Sequence, residues 1–148
     1  MIKVFYGTES GNSEMAADDI VELIEDAGGA AEVIPMEDAD VSELSGEKLI
    51  IVVTSTYGDG ELPETTQPFY DALKSDRPDL SKVSFAAFGL GDSTYETYGN
   101  GIDTVSALLK ELGASQTGET GRHDAAKTLP LTDVVSTWAQ STLPIFQD

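Results

Sequence analysis

The sequence predicts an α/β fold, a three-layer sandwich whose five-stranded parallel sheet carries helices on both faces. Short apolar segments alternate with amphipathic segments along the chain, which is the pattern of strands joined by crossover helices. One apolar segment is long and continuous, as expected of a strand buried on both faces. With 148 residues, 40% of them hydrophobic, the chain suits one core, and we expect a single domain spanning residues 1–148.

The first half of the chain is predicted to contain three strands and a helix. An apolar run at residues 2–6 gives the first strand. The segment after it has apolar residues among charged ones at a spacing suited to an amphipathic helix, namely Met15, Ile20, Leu23 and Ile24. Gly28 and Gly29 end this helix. Residues 31–34 give the second strand. The continuous apolar run 49–53 gives a third strand, which we expect at the centre of the sheet.

The alternation continues in the second half. Residues 63–74 are predicted to form a helix, and residues 83–88 a fourth strand that Gly89-Leu90-Gly91 closes. Residues 102–112 form a clearly amphipathic helix, which the following glycine ends.

The last part of the chain is less regular. A weak fifth strand is expected near residues 115–119, and the polar stretch 121–124 is interpreted as a loop with a solvated His123. The final helix is predicted to start at Thr132, a good N-cap residue. It presents three side chains to the sheet, those of Val134, Val135 and Trp138.

The charge balance is strongly acidic. Lys and Arg total 8 against 27 Asp and Glu, which gives a formal net charge of −19. Such a surface repels nucleic acid and anionic lipid, so we expect neither as a partner. It favours docking to basic patches on other proteins, although simple solubility explains the charge equally well.

The absence of cysteine limits the chemistry. Disulfides, thiolate catalysis, iron–sulfur clusters and cysteine-based zinc sites are excluded, so any redox chemistry must come from a bound organic cofactor. No segment approaches the roughly 20 apolar residues of a membrane span, and the N-terminus lacks a signal-peptide pattern. We therefore expect a cytoplasmic protein.

Residues 8–13 follow the first strand and lead straight into a helix. A helix N-terminus offers unpaired N–H groups and the positive end of the helix dipole, and Thr8, Ser10 and Ser13 add hydroxyl donors, so a phosphate fits there. The segment lacks the Gly-Lys-Ser/Thr of a Walker loop and the Gly-x-Gly-x-x-Gly of a dinucleotide fold, which favours a phosphate monoester. A plain N-cap rich in small polar residues is the alternative.

Residues 54–63 and 89–99 follow the third and fourth strands, and both segments combine glycines with aromatic residues. The glycines let the backbone approach a planar ligand closely, and Tyr57 and Tyr95 offer faces for stacking. Tyr57 alone could simply cover the sheet edge. Three such loops at the carboxyl ends of parallel strands, however, indicate a phosphorylated planar cofactor.

These motifs resemble the flavodoxin family, and the resemblance covers the whole chain. Residues 8–13 are similar to the phosphate loop of the family, and residues 55–60 and 91–95 to its two isoalloxazine loops, with Tyr95 as the outer stacking ring and Tyr57 as the inner one. The resemblance implies FMN as cofactor and the flavodoxin-like strand order 2-1-3-4-5. It also implies a set of FMN-binding residues, which are Thr8, Glu9, Ser10, Gly11, Asn12, Ser13, Ser55, Thr56, Tyr57, Gly58, Asp59, Gly60, Leu90, Gly91, Asp92, Tyr95, Tyr98 and Gly99.

Two subfamilies remain open. The short passage from residue 115 to residue 132 leaves no room for the insertion of long-chain members, so the chain resembles a short-chain flavodoxin. Residues 57–63, Tyr-Gly-Asp-Gly-Glu-Leu-Pro, are also similar to the FMN modules of diflavin reductases and to small stand-alone FMN-binding proteins. Tyr57 stands where several flavodoxins carry a tryptophan, which leaves the redox potential open.

The resemblance implies a low-potential electron carrier with no catalytic residue and no metal. It would cycle through a semiquinone and shuttle single electrons between an NAD(P)H-dependent flavodoxin reductase and acceptor enzymes with basic surfaces, as a monomer. The Gly58–Asp59 peptide is expected to turn its carbonyl toward the flavin N5–H. Acidic side chains near the ring disfavour an anionic reduced flavin, and those expected there are Glu9, Asp59, Glu61, Asp92 and Glu96.

Other functions fit the same fold. A flavin or quinone reductase would bind its substrate over the ring, and a module could use FMN only structurally. A stand-alone FMN module could serve one dedicated partner. A response-regulator domain shares the strand order, but it needs an acidic cluster after the first strand, where this chain has residues 8–13.

Overall fold

A parallel β-sheet forms the middle layer of the molecule. The computed structural model describes residues 2–7, 12–55, 62–91, 100–124 and 130–143. Four parallel strands lie side by side in the order β2-β1-β3-β4, and they are β1 (Ile2–Gly7), β2 (Ala31–Pro35), β3 (Leu49–Ser55) and β4 (Ser84–Gly91). Two short strands, β5 (Ser115–Gln116) and β6 (Gly121–Asp124), both pair with β4 and share the fifth position.

Helices cover both faces of this sheet. The four are α1 (Asn12–Asp26), α2 (Gln67–Asp76), α3 (Asn100–Glu111) and α4 (Leu131–Thr142). Helices α1 and α4 pack on one face, and α2 and α3 on the other. Two short 3₁₀ helices, Met36–Asp38 and Val41–Gly46, connect β2 to β3. The predicted sandwich and its strand order are therefore confirmed.

Strand β3 contributes side chains to both hydrophobic cores. Ile50 and Val52 belong to the core beneath α2 and α3, whereas Ile51 and Val53 belong to the core beneath α1 and α4. All four side chains are fully buried. Because successive residues of a strand point to opposite faces, only a continuous apolar run satisfies both cores. The predicted central position of this strand is confirmed.

Strand β4 is longer than the sequence indicated. It continues through Gly89 to Gly91 instead of closing there, because Gly89 and Leu90 keep pairing with Thr54 and Ser55 of β3. A Cβ on residue 89 would collide with the side chain of Ile102, so glycine lets α3 approach the strand closely.

The first turns of two helices differ from the prediction. Helix α2 begins at residue 67 rather than 63, because the Pro63 carbonyl accepts from the N–H groups of Thr66 and Gln67 in a preceding turn. Helix α4 begins one residue before Thr132, with Pro130 at the N-cap. The hydroxyl of Thr132 instead donates to Oδ2 of Asp19 at 3.1 Å, which ties α4 to α1.

Two further expectations are wrong. Met15 does not share the buried face of α1 but is 59% exposed, since it lies one residue, about 100° of rotation, from the buried Ala16. Residues 121–124 form β6 and not a loop, and His123 is half-buried beside Leu90 of β4. The predicted glycine stops are confirmed, because φ is +92° at Gly28 and +108° at Gly113.

None of the helices in the described part of the chain has the length and hydrophobicity that crossing a membrane requires.

Candidate functional site

The carboxyl ends of β1, β3 and β4 meet at one edge of the sheet. Gly7 pairs with Thr54, and Ser55 pairs with Leu90, one residue before the end of β4. Neighbouring strands in a sheet lie about 4.8 Å apart. The three segments predicted to bind a ligand therefore all begin at adjacent points on this edge.

Only some of the predicted site residues fall within the described chain. Asn12 is the first residue of α1, and Ser13, Ser55, Leu90 and Gly91 are described in full. The others lie outside the described residues, and they are Thr8, Glu9, Ser10, Gly11, Thr56, Tyr57, Gly58, Asp59, Gly60, Asp92, Tyr95, Tyr98 and Gly99.

Ser13 has the property expected of a ligand-binding hydroxyl. It lies in the first turn of α1 and is fully buried, and its Oγ has no hydrogen-bond partner among the residues that the structure describes. A buried polar atom without a partner is costly and rare in native proteins. The N–H groups of a helix N-terminus surround the same position and favour an anion. A phosphate at this helix end would satisfy the Ser13 hydroxyl.

Leu90, Ser55 and Gly91 contribute in different ways. The side chain of Leu90 is buried in the core beneath α1 and α4, which leaves only its backbone to face a ligand. Ser55 and Gly91 are half-buried at the ends of their strands. Of the described predicted residues, Ser13 and Ser55 are thus the ones with a side-chain hydroxyl at this edge.

A tyrosine at the end of β1 is linked to the first turn of α1. The hydroxyl of the half-buried Tyr6 hydrogen-bonds the Glu14 carboxylate. Burial, followed by the negative charge of Glu14, raises the pKa of Tyr6 above its usual value of 10.0. Tyr6 and Glu14 stand on either side of residues 8–13 in the sequence, so the residues that flank this segment interact with each other. The sequence analysis did not find either residue.

Thr54 and Thr66 were also missed. Their Oγ1 atoms lie 2.8 Å apart, and both residues are fully buried at the same edge. The one signal in the sequence was Gly7, which directly follows the predicted first strand. In the structure a Cβ at residue 7 would lie 2.8 Å from Cβ of Thr66.

The other side of the edge carries an ion pair. Arg122 of β6 contacts Oδ1 of Asp103, in the first turn of α3, at 2.6 Å. Both side chains are at least a third exposed, so the pair contributes little stability. Within the pair, the negative charge of Asp103 compensates the positive charge of Arg122, the one cation that the described residues place near this edge. No group of His, Asp or Glu in the described ranges has the arrangement of a metal site.

Comparison with known proteins identifies the family of this chain. A family model described as Flavodoxin matches residues 4–138, from within β1 to within α4. The chain belongs to the flavodoxin family. FMN is the cofactor of the family and of this chain.

The chain is similar both to small proteins and to parts of larger ones. Protein MioC of Escherichia coli O157:H7 is 39% identical over 121 residues, covering 80% of this chain and 80% of that protein. NADPH-dependent diflavin oxidoreductase 1 of Cryptococcus neoformans is 32% identical over 146 residues, covering 97% of this chain but 24% of that protein. The similarity of this chain to diflavin reductases is thus a similarity to one part of a larger chain.

Solved flavodoxins have the same architecture. A mutant flavodoxin from Pseudomonas aeruginosa matches with a TM-score of 0.85 at 31% identity, covering 95% of this chain and 94% of that one. Oxidised flavodoxin 2 from Bacillus cereus matches with a TM-score of 0.83, also at 31% identity, covering 93% and 94%.

Proposed function

We propose that this flavodoxin-family chain binds FMN at the carboxyl edge of its sheet and carries single electrons between a reductase and acceptor proteins. The observation that supports the phosphate position most directly is the buried Ser13 Oγ at the N-terminus of α1, which no described residue hydrogen-bonds. The ring would then lie toward the ends of β3 and β4, which are the next strands along the edge.

Several groups of the chain would hold the cofactor. In this proposal Ser13 and the segment 8–12 bind the phosphate. Segments 55–60 and 90–99 hold the ring, with Tyr57 and Tyr95 stacking on its two faces. Bound FMN supplies the redox chemistry, because the isoalloxazine itself stores the electrons.

The charges near the site support a low potential for the second electron. Tyr6, at the end of β1, interacts with the carboxylates of Glu14, Asp18 and Glu37. These acids therefore lie within electrostatic reach of the phosphate end of the site. Negative charge disfavours adding further negative charge nearby. We therefore propose that the chain passes through a neutral semiquinone and resists reduction to the anionic form.

The positive charges lie mostly at the opposite edge. Lys48 and Lys82 precede β3 and β4, while Lys74 and Lys110 lie in the last turns of α2 and α3. Helices that return between parallel strands end at the amino edge of the sheet. The described cations at that edge include two in ion pairs, Lys3 with Glu47 and Arg77 with Glu111.

This separation of charge bears on the choice of partner. Near the carboxyl edge, the described residues include one cation, Arg122, and it already contacts Asp103. We infer that acidic side chains dominate the face through which electrons would pass, because 27 Asp and Glu outnumber 8 Lys and Arg in the chain. Complementary potentials steer encounters and raise association rates. We propose that the partners are redox proteins with basic surfaces, namely an NAD(P)H-dependent reductase and its acceptors.

We further propose one domain over residues 1–148, a monomer, a location in the cytoplasm and no substrate turnover by the chain itself. A second candidate, an FMN module dedicated to one partner, is favoured by the 97% coverage of this chain in the match to a diflavin oxidoreductase. The two differ in how many acceptors the reduced protein serves.

The first experiment is an absorption spectrum of the purified protein, followed by anaerobic stepwise reduction. We expect FMN to copurify or to bind when added, and a long-wavelength neutral semiquinone band to accumulate before full reduction. Absence of flavin binding would contradict the proposal. A flavin that NAD(P)H bleaches rapidly without any reductase would instead indicate a flavin or quinone reductase.

The partner hypothesis has its own test. A flavodoxin reductase with NADPH should reduce the protein, and the reduced protein should pass electrons to cytochrome c, which has a basic surface. Because salt screens exposed charges over about 8 Å at physiological ionic strength, both rates should fall as salt is added. Rates that do not depend on salt would contradict a charge-steered encounter.

A further inference from the structure

The start of α2 reaches back to the carboxyl edge of the sheet through Thr66. Its Oγ1 lies 2.8 Å from Oγ1 of Thr54, near the end of β3. Both residues are fully buried, so this hydrogen bond is shielded from water. The Thr54 hydroxyl also donates to the carbonyl of Ser55 at 3.1 Å. Because Thr54 has only one hydroxyl hydrogen, Thr66 is the donor in the bond between the two threonines.

Gly7 completes this contact. A Cβ on residue 7 would collide with Oγ1 of Thr66, and Gly7 itself pairs with Thr54 in the register of β1 and β3. Thr66 therefore packs directly on the backbone of β1 while bonding to β3. We call Gly7, Thr54 and Thr66 the threonine junction.

The threonine junction lies between the two halves of the proposed cofactor site. Gly7 immediately precedes segment 8–13, which we propose binds the phosphate. Thr54 and Thr66 lie on either side of segment 55–65, which includes residues proposed to hold the ring. Sheet pairing holds Gly7 beside Thr54, and the contacts of Thr66 hold the far end of segment 55–65 against both strands.

We propose that Thr66 is a positioning residue that couples the phosphate subsite to the ring subsite. This inference rests on the FMN site proposed above. A ligand that occupies two rigidly connected subsites gains affinity that a ligand occupying one does not, because the second contact becomes intramolecular. Loosening the connection reduces that gain even when each subsite stays intact.

Thr66→Val is the variant that tests this coupling. Valine keeps the shape of threonine and removes only the donor, so Thr54 keeps its bond to the Ser55 carbonyl. The readout is the ratio of the dissociation constant of riboflavin to that of FMN, measured on the apoprotein by flavin fluorescence. Riboflavin has the ring but no phosphate. The ratio therefore reports how much the phosphate adds once the ring is bound.

We expect Thr66→Val to lower this ratio by about 3- to 10-fold, the change that loss of one net hydrogen bond produces. Thr66→Ser keeps the hydroxyl and should keep the wild-type ratio. Thr142→Val removes another buried threonine hydroxyl, in the last turn of α4, and should also leave the ratio unchanged. General destabilisation weakens both flavins equally and does not alter the ratio.

A folded Thr66→Val protein with a ratio within twofold of wild type would overturn the inference. If Thr66→Val does not fold, Thr54→Val removes the acceptor of the same bond and must lower the ratio instead. A double variant that loses more than either single variant would contradict action through one bond. A wild-type chain that binds no FMN would refute the proposed function itself, and this is visible before any variant is compared.

Discussion

The indole Nε1 of Trp138 donates a hydrogen bond to the carbonyl oxygen of Glu119 at 3.0 Å. Trp138 lies on α4, whereas Glu119 lies in the short connection between β5 and β6. The same indole ring packs edge-on against Phe88 of β4, with the ring centroids 5.3 Å apart. One side chain therefore holds α4, the divided fifth strand and the central sheet together.

Trp138→Phe should destabilise the protein by about 1–3 kcal/mol, since it removes this hydrogen bond and part of the buried ring. The measurement is urea denaturation followed by circular dichroism, which does not depend on the lost tryptophan. Thr137→Ala changes the neighbouring exposed residue of α4 and serves as the control. Equal stability of Trp138→Phe and wild type would show that the contact contributes nothing.

Gly121→Ala should destabilise the protein by about 1–3 kcal/mol through overpacking. A Cβ on residue 121 would lie 2.5 Å from Cδ1 of Trp138 and closer still to Phe88. Gly46→Ala is the matched control, because a Cβ there meets nothing within 4 Å. Thermal unfolding of the two variants should separate them clearly, and similar unfolding temperatures would contradict the tight packing at β6.

Ser13→Ala should weaken FMN binding by about 10-fold or more, the effect expected of one hydrogen bond to a charged group. Riboflavin binding should change little, because riboflavin has no phosphate. The apoprotein should lose little stability, since the Ser13 Oγ bonds none of the residues in the described ranges. Ser106→Ala removes another buried hydroxyl that has no partner in the described part of the chain, and it is the control. Parallel losses for both flavins would argue against a phosphate at this helix end.

Alkaline pH should lower the stability of the folded chain. The hydrogen bond and ion pair with Glu47 raise the pKa of Lys3 above 10.5. Burial and the Glu14 carboxylate raise the pKa of Tyr6 above 10.0. A group with a raised folded pKa contributes its full stability below the unfolded value and loses it as pH rises through the folded value.

The check is the urea midpoint measured between about pH 9 and pH 11.5, a window that contains both ordinary pKa values. The wild type should lose stability across this range, and Tyr6→Phe should lose less because it has no hydroxyl to ionise. An identical pH dependence in the two proteins would show that Tyr6 does not titrate differently on folding.

The strands with continuous apolar runs were predictable, and the reason is physical. Residues 49–53 have no polar side chain to place in water, so burial on both faces was the one arrangement open to them. Strand β6 gave no such signal, because Gly-Arg-His-Asp has little intrinsic preference for a strand. Its conformation comes from pairing with β4, a contact far away in the sequence.

The residues of the candidate site also differ in how far the sequence could predict them. Ser13 could be chosen as a candidate because a hydroxyl at a helix N-terminus is a local pattern. Thr66 was missed because its partners, Gly7 and Thr54, are brought to it only by the crossover between strands and helices. Local chemistry was therefore predictable, whereas contacts that join separate segments needed the folded chain.

The alternation along β3 determines how the molecule opens. Ile50 and Val52 face one core while Ile51 and Val53 face the other, so losing either helical layer exposes half of the same strand. Neither helical layer can leave the sheet without exposing the side chains of β3 to solvent. The amide hydrogens of β3 should therefore exchange with deuterium only when the whole domain unfolds, and their exchange rates should report its global stability.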